Sequence, residues 1–192
     1  GRTNSPCHFW VGRMNWTDKP RPLMVVKSLS KLRVAKLQER VSRAASWLSK
    51  PVRYNLGSGG MSPSDPMPDG RCDCSGFVSA TIGMSRHQEF KGKPWSSHIP
   101  WIETTAVFDD AKGAQWLFVP CAEAWPGCIV VIPDRRILGI RRQGHIGIVS
   151  QDPTIAIDCA SGRGDRAVGL RPVSWWTKRG GIVVCLKEDV LA

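Results

Sequence analysis

Cys74, His145 and Asp158 are the residues whose types and settings could together attack an acyl carbon. Cys74 lies in Asp73-Cys74-Ser75-Gly76-Phe77-Val78, where a stretch rich in Gly, Pro, Ser and Asp (56–70) gives way to an apolar run. That change of composition marks a helix start, with Asp73 as its N-cap. Unpaired N–H groups and the helix dipole favour negative charge there, so the sequence predicts a Cys74 thiol of lowered pKa and raised thiolate fraction. The same N–H groups could hold the oxyanion of a tetrahedral intermediate. The small Ser75 and Gly76 leave room for a substrate backbone. The competing reading is a buried structural cysteine, the commonest fate of a free thiol.

A thiol nucleophile needs a base, usually a histidine that is itself oriented by a third group. Of the four histidines, His8 falls in an irregular arm and His87 in the polar run 85–89, both read as surface, whereas His98 sits in a loop and stays a second candidate. His145 opens the strand-like run Gly144-His145-Ile146-Gly147-Ile148-Val149, where a sheet would fix its ring. Gly144 and Gly147 are expected to keep its surroundings open to another stretch of chain or to substrate. The orienter follows from parity. If the runs 145–151 and 154–160 pair through a turn at Asp152-Pro153, Gly147 faces Asp158, which then shares His145's sheet face while Cys159 points away. A one-residue slip would exchange the faces.

The elements that must hold these residues are legible from periodicity. Val34, Leu37, Val41, Ala44, Ala45 and Leu48 form one face of an amphipathic helix, with Arg33, Lys36, Arg40 and Arg43 opposite and Pro51 as its stop. A second short helix is expected between Pro100 and Gly113, with Ile102, Ala106 and Val107 inward. Residues 117–119, 128–132, 145–151, 154–160, 168–174 and 182–186 are short β-branched runs bounded by Pro, Gly or Asp. Helices followed by strands predict an α+β domain, N-terminal helices packed on an antiparallel sheet of about five to six strands. A chain of 192 residues suits one core, so the organisation expected is an irregular arm over 1–26 and a single domain over 27–192.

With those residues in order, the chain resembles the NlpC-type cysteine peptidases of bacterial cell walls, a papain-like group. Arg53-Tyr54-Asn55-Leu56-Gly57-Ser58-Gly59-Gly60 looks like the family's Tyr-containing, glycine-rich stretch, and the Cys74 segment matches its nucleophile motif. Pro126-Gly127-Cys128-Ile129-Val130-Val131 looks like the strand before the histidine, and the His145 segment matches the histidine motif. The similarity runs from about Val34 to Leu186. It departs from the family at Cys128, where Asp is usual, and at Asp158, where His is more frequent. The resemblance implies a papain-like fold, with Cys74 as nucleophile, His145 as general base and acid, and Asp158 as third polar residue. It also implies Tyr54 and Asp73 at the substrate cleft, Asp73 as a partner for a substrate amine, with Ser75 and Gly144 beside them. No metal or cofactor is implied. The activity implied is cleavage of a peptidoglycan stem-peptide amide, either between D-glutamate and the diamino acid or at the glycan-to-peptide link. Acyl transfer, transglutamination and deamidation are the alternatives on the same thiol scaffold.

The net charge of +11 points to an anionic partner, and cell-wall polymer fits. The densest basic run, Arg135, Arg136, Arg141 and Arg142, is expected in an exposed loop. Nine tryptophans suggest core or subsite walls, with Trp95, Trp101 and Trp125 placed for sugar stacking. Nucleic acid is disfavoured because no binding motif accompanies the charge. Seven cysteines, an odd number, argue against a complete disulfide framework. A zinc module using Cys72, Cys74, Cys121 and Cys128 does not match ligand spacing. No run reaches the roughly 18 apolar residues of a membrane span or forms a signal-peptide core. A wall enzyme acting outside the cytoplasm, a phage lysin and an antibacterial effector with an immunity partner all remain open.

Overall fold

The computed structural model describes residues 31–67, 69–88 and 101–187. The predicted arm, His8, Trp95 and His98 lie outside them. Within them the chain is mixed α+β: helix α1 (Lys31–Ala45), strands β1 (Arg53–Tyr54) and β2 (Arg71–Cys72), helix α2 (Cys74–Ile82) and helix α3 (Thr104–Lys112) come first. Then follow β3 (Phe118–Pro120), β4 (Ile129–Ile132), β5 (Arg135–Ile137), β6 (Ile140–Arg142), β7 (His145–Val149), β8 (Ile155–Cys159), β9 (Val168–Pro172), helix α4 (Val173–Thr177) and β10 (Ile182–Leu186). Six strands form one antiparallel sheet in the order β3-β10-β4-β7-β8-β9, so the last strand inserts between the first two. No described helix is long and apolar enough to cross a membrane.

Both faces of this sheet are covered, which is why β4, β7 and β8 are buried almost throughout. Ile129, Val131, Ile146, Ile148, Ile157 and Cys159 pack with Phe77 and Val78 of α2 and Ala106 and Val107 of α3. Val119, Cys128, Val130, Val149, Ala156 and Cys185 pack on the other side with Trp176 of α4. The period of two thus alternates between two cores rather than between core and water.

Helix α1 buries Leu37, Val41 and Ala44 as its spacing predicts, but Val34 is exposed and Arg40 is buried. Arg40 lies one turn from Leu37 and Ala44 and its charge acts on Cys128, so it belongs to the packed face, contrary to the expectation of a solvated one. The α-helix stops at Ala45, and turns carry the chain to Pro51. Gly127 has φ +83°, and a Cβ there would run into the Leu37 backbone. Helix α1 therefore sits directly on the turn before β4.

Three elements escaped the sequence reading. The β1–β2 parallel pair aligns Tyr54 with Cys72. The basic run expected as a loop is a hairpin, β5–β6, closed by Leu138 (φ 51°) and Gly139 (φ 79°), the positive-φ pair that a tight two-residue turn demands. Helix α4 replaces the end of the predicted last-but-one strand.

Candidate active site

Asp73 caps α2 as expected, in extended conformation, with its carboxylate accepting from the Gly76 N–H at 2.7 Å. The same carboxylate accepts from Gly57 N–H at 2.8 Å and from the Arg86 guanidinium at 2.8 Å. Asp73 is 1 % exposed, and Arg86, from the polar run 85–89, is buried with it. The cation expected from a substrate amine is supplied by the chain's own Arg86.

All nine residues of α2 are buried, and this reverses the expectation for Cys74. Loss of hydration and the neighbouring Asp73 carboxylate push its thiol up to about 12, although the Ser75 hydroxyl and the Ile146 N–H both hydrogen-bond the sulfur. The helix N-terminus was expected to favour a thiolate as well as to carry the Asp73 cap. Its amides are shared with that capping carboxylate, and burial of the thiol outweighs the dipole. Ser75 is 3 % exposed and serves the sulfur. Gly76 makes room for the chain itself, since a Cβ there would stand 2.8 Å from the Gly59 backbone.

The parity argument for the orienter holds. Gly147 pairs with Asp158, Ile148 with Ile157 and Val149 with Ala156. Asp158 Oδ2 lies 2.5 Å from His145 Nε2. Asp158 is fully buried, and two guanidiniums complete its surroundings: Arg163 at 2.7 Å to Oδ1 and Arg171 at 2.8 Å to Oδ2. Burial pushes this carboxyl up, but His145, Arg171 and Arg163 together hold it below the usual carboxylate range. Cys159 points to the other face, with its sulfur 3.2 Å from that of Cys72.

The imidazole is gripped on its faces as well. It stacks on Trp176 at 5.7 Å and 12° and meets Trp175 edge-on at 5.8 Å. Trp175 in turn lies under Arg171 and Arg179. With Nε2 committed to Asp158, Nδ1 is the nitrogen left to exchange a proton. The glycines beside His145 are packing sites, not openings: a Cβ at Gly147 would meet the Ile157 carbonyl at 2.9 Å and Trp176 at 3.3 Å, and one at Gly144 would meet the Ile132 carbonyl at 2.6 Å. Gly144 N–H is held by Asp134 at 2.5 Å, which fixes the chain just before the histidine.

Cys74 and His145 are not hydrogen-bonded to each other. The contacts to the Cys74 surroundings come from residues on either side of the histidine. Ile146 N–H bonds the Cys74 sulfur, and Gln143 hydrogen-bonds the Tyr54 phenol, whose pKa is raised by burial and by the nearby Cys74 and Asp73. Tyr54 is therefore beside the thiol, half-buried. His87 packs edge-on against Trp101 at 5.5 Å, and Trp125 lies in the second core. Trp175 and Trp176, not singled out from sequence, are the tryptophans at the imidazole. Arg163 and Arg171 were also missed; the one signal available was Gly169, opposite Asp158, where a side chain would displace the Arg163 guanidinium. The chain matches no protein-family model, and no curated protein matches its sequence.

Proposed function

We propose that this protein is a thiol hydrolase of a papain-like fold that cleaves an amide in the stem peptide of peptidoglycan. The observation that carries the reading is the Asp158–His145 bond at Nε2, which presents Nδ1 as a base at the start of β7, two residues from Gln143–Tyr54 and one from the Ile146 N–H that touches Cys74. The resemblance to NlpC-type enzymes supplies the substrate class.

In this mechanism His145 Nδ1 takes the Cys74 proton as sulfur attacks the amide carbon, and the Cys74 N–H is one donor to the oxyanion. The imidazolium then protonates the leaving amine as the C–N bond breaks. Water, deprotonated by His145, releases the acid and restores the thiol. Asp158 stays ionised throughout and stabilises the imidazolium. The exposed Arg136, Arg141 and Arg142 near the histidine strand suit an acidic wall polymer; on this reading the protein acts outside the cytoplasm, as a wall enzyme, a phage lysin or an effector countered by an immunity protein.

Mass spectrometry of muropeptides released from purified sacculi tests this. Wild-type protein should release stem-peptide fragments carrying one added water, and Cys74→Ala should release none. Undiminished release by Cys74→Ala would refute the nucleophile, and products carrying an amine instead of water would assign acyl transfer.

A further inference from the structure

On the second core face, at the end of the sheet away from His145, three thiols converge. Cys121 follows β3 and donates its N–H to the Val183 carbonyl at 2.9 Å. Cys128 precedes β4, and Cys185 lies on β10 between those strands. Val183 and Cys185 share a face by alternation, so the register brings the three side chains together from three neighbouring strands. Cys185 Sγ is 2.6 Å from Cys128 Sγ and 2.8 Å from Cys121 Sγ, and the outer two are 4.0 Å apart. None of the six described cysteines is in a disulfide. Non-bonded heavy atoms rest at roughly 3.5–4.0 Å even for carbon, so Cys185 is held against both neighbours inside ordinary contact.

We propose that Cys121, Cys128 and Cys185 form a binding site for a soft, closed-shell cation of the zinc(II) or copper(I) kind. Among the described residues the cluster offers sulfur alone, and all-thiolate sets select such ions over hard oxygen-seeking ones. With metal–sulfur bonds of about 2.3 Å, tetrahedral geometry separates the sulfurs by roughly 3.8 Å. The Cys121–Cys128 gap already fits, and Cys185 has only to withdraw by about 1 Å. A disulfide would use two of the sulfurs and leave the third, whereas one cation takes all three. Each thiol that is protonated before binding gives up its proton to solvent as its metal–sulfur bond forms. Cys128 and Cys185 are buried, and Cys121 is half-exposed, so an ion would enter from the Cys121 side. The spacing of the cysteines gives no hint of this, because Cys185 joins the others only through the insertion of β10.

The site lies about 13 Å along β4 from the histidine end, so it is testable apart from hydrolysis. Reduced, chelator-stripped full-length protein would be given zinc(II) in one arm and chelator-buffered copper(I) in the other, desalted, and assayed for retained metal. Cysteine alkylation would be mapped in parallel. About one metal per chain is expected in at least one arm, with Cys121, Cys128 and Cys185 protected from alkylation. Cys121→Ser, at the half-exposed position, should weaken retention more than tenfold while keeping the fold by circular dichroism, and Cys74→Ser should retain the metal. No retention by wild type in either arm, equal retention by Cys121→Ser, or a Cys185 disulfide that persists in the reduced protein would overturn the proposal.

Discussion

Replacing Asp158 by Asn keeps the volume of the side chain and removes its charge. The carboxylate is fully buried and accepts from Arg163 and Arg171 at 2.7 and 2.8 Å as well as bonding His145. Breaking a buried ion pair by neutralising one partner costs about 3–5 kcal/mol, because the other charges stay in place unpaired. That is a large share of the roughly 5–15 kcal/mol by which domains are stable, and for a chain of this size it lowers Tm by about 6–20 °C. The pH dependence carries the sharper test. The folded pKa of Asp158 is depressed below its ordinary value. Its stabilisation is therefore complete above the unfolded carboxylate pKa of about 3.9 and fades as pH falls through the folded one. Urea unfolding of wild type and Asp158→Asn from pH 8 down to 3 should show a constant gap at neutral pH that narrows only below about pH 4. A gap under about 1 kcal/mol at pH 7, the range of an exposed pair, or one unchanged in acid, would refute the assignment of Asp158 as the buried anion that Arg163, Arg171 and His145 share.

Iodoacetamide alkylation of Cys74, followed by peptide mass spectrometry, should accelerate about tenfold per pH unit from 6 to 10, since the thiol is pushed up to about 12; a plateau at low pH would reveal a resting thiolate–imidazolium pair instead. Arg86→Ala should destabilise the fold by about 3–5 kcal/mol, because it leaves the Asp73 carboxylate, 2 % exposed, without its cation; a Tm within about 2 °C of wild type would show that the two amide donors suffice. Gly147→Ala should lower stability by about 1–3 kcal/mol and shift the near-ultraviolet circular dichroism of Trp176, whose ring lies 3.3 Å from the added carbon; an unperturbed tryptophan signal would mean that the strand yields instead.

What could be read from the sequence were relations of parity and local capping. Asp73 as N-cap, the inward Ile102, Ala106 and Val107, and the pairing of Gly147 with Asp158 depend on neighbours in the chain or on a single hairpin turn, and all three are present. What could not be read depends on residues far apart. Burial of the Cys74–Ser75 end of α2 along with its apolar run, which sets the Cys74 pKa, comes from the sheet, α1 and the 58–60 backbone meeting around it. The guanidiniums on Asp158 arrive from the turn before β9 and from β9 itself, and the thiols of Cys121 and Cys128 acquire Cys185 only when β10 inserts between β3 and β4. The flanking glycines left two readings, a close chain or a substrate opening, for the same reason. An absent side chain is equally consistent with an opening and with a neighbour pressed close, and only the fold supplies Trp176 and the Ile132 carbonyl.

The burial of Cys74 bears on how the proposed hydrolysis must run. A thiol titrating near 12 is ionised in about one molecule in 10⁵ at pH 7, so a free thiolate lies about 7 kcal/mol uphill. Such an enzyme cannot rely on a stored ion pair and must move the proton as sulfur approaches carbon, in the manner of a serine nucleophile and its histidine. That demand falls on the base. The structure invests its order there: one nitrogen of His145 fixed by Asp158, the carboxylate fixed by two guanidiniums, and the ring held between Trp175 and Trp176. Orientation of this kind is worth most when the imidazole gains charge in the transition state, because the Asp158 carboxylate is then already in place and needs no reorganisation. A neutral thiol and a rigidly oriented imidazole are thus two halves of one arrangement. The proposed hydrolysis then requires that substrate entry bring Nδ1 and Sγ to either side of a single proton.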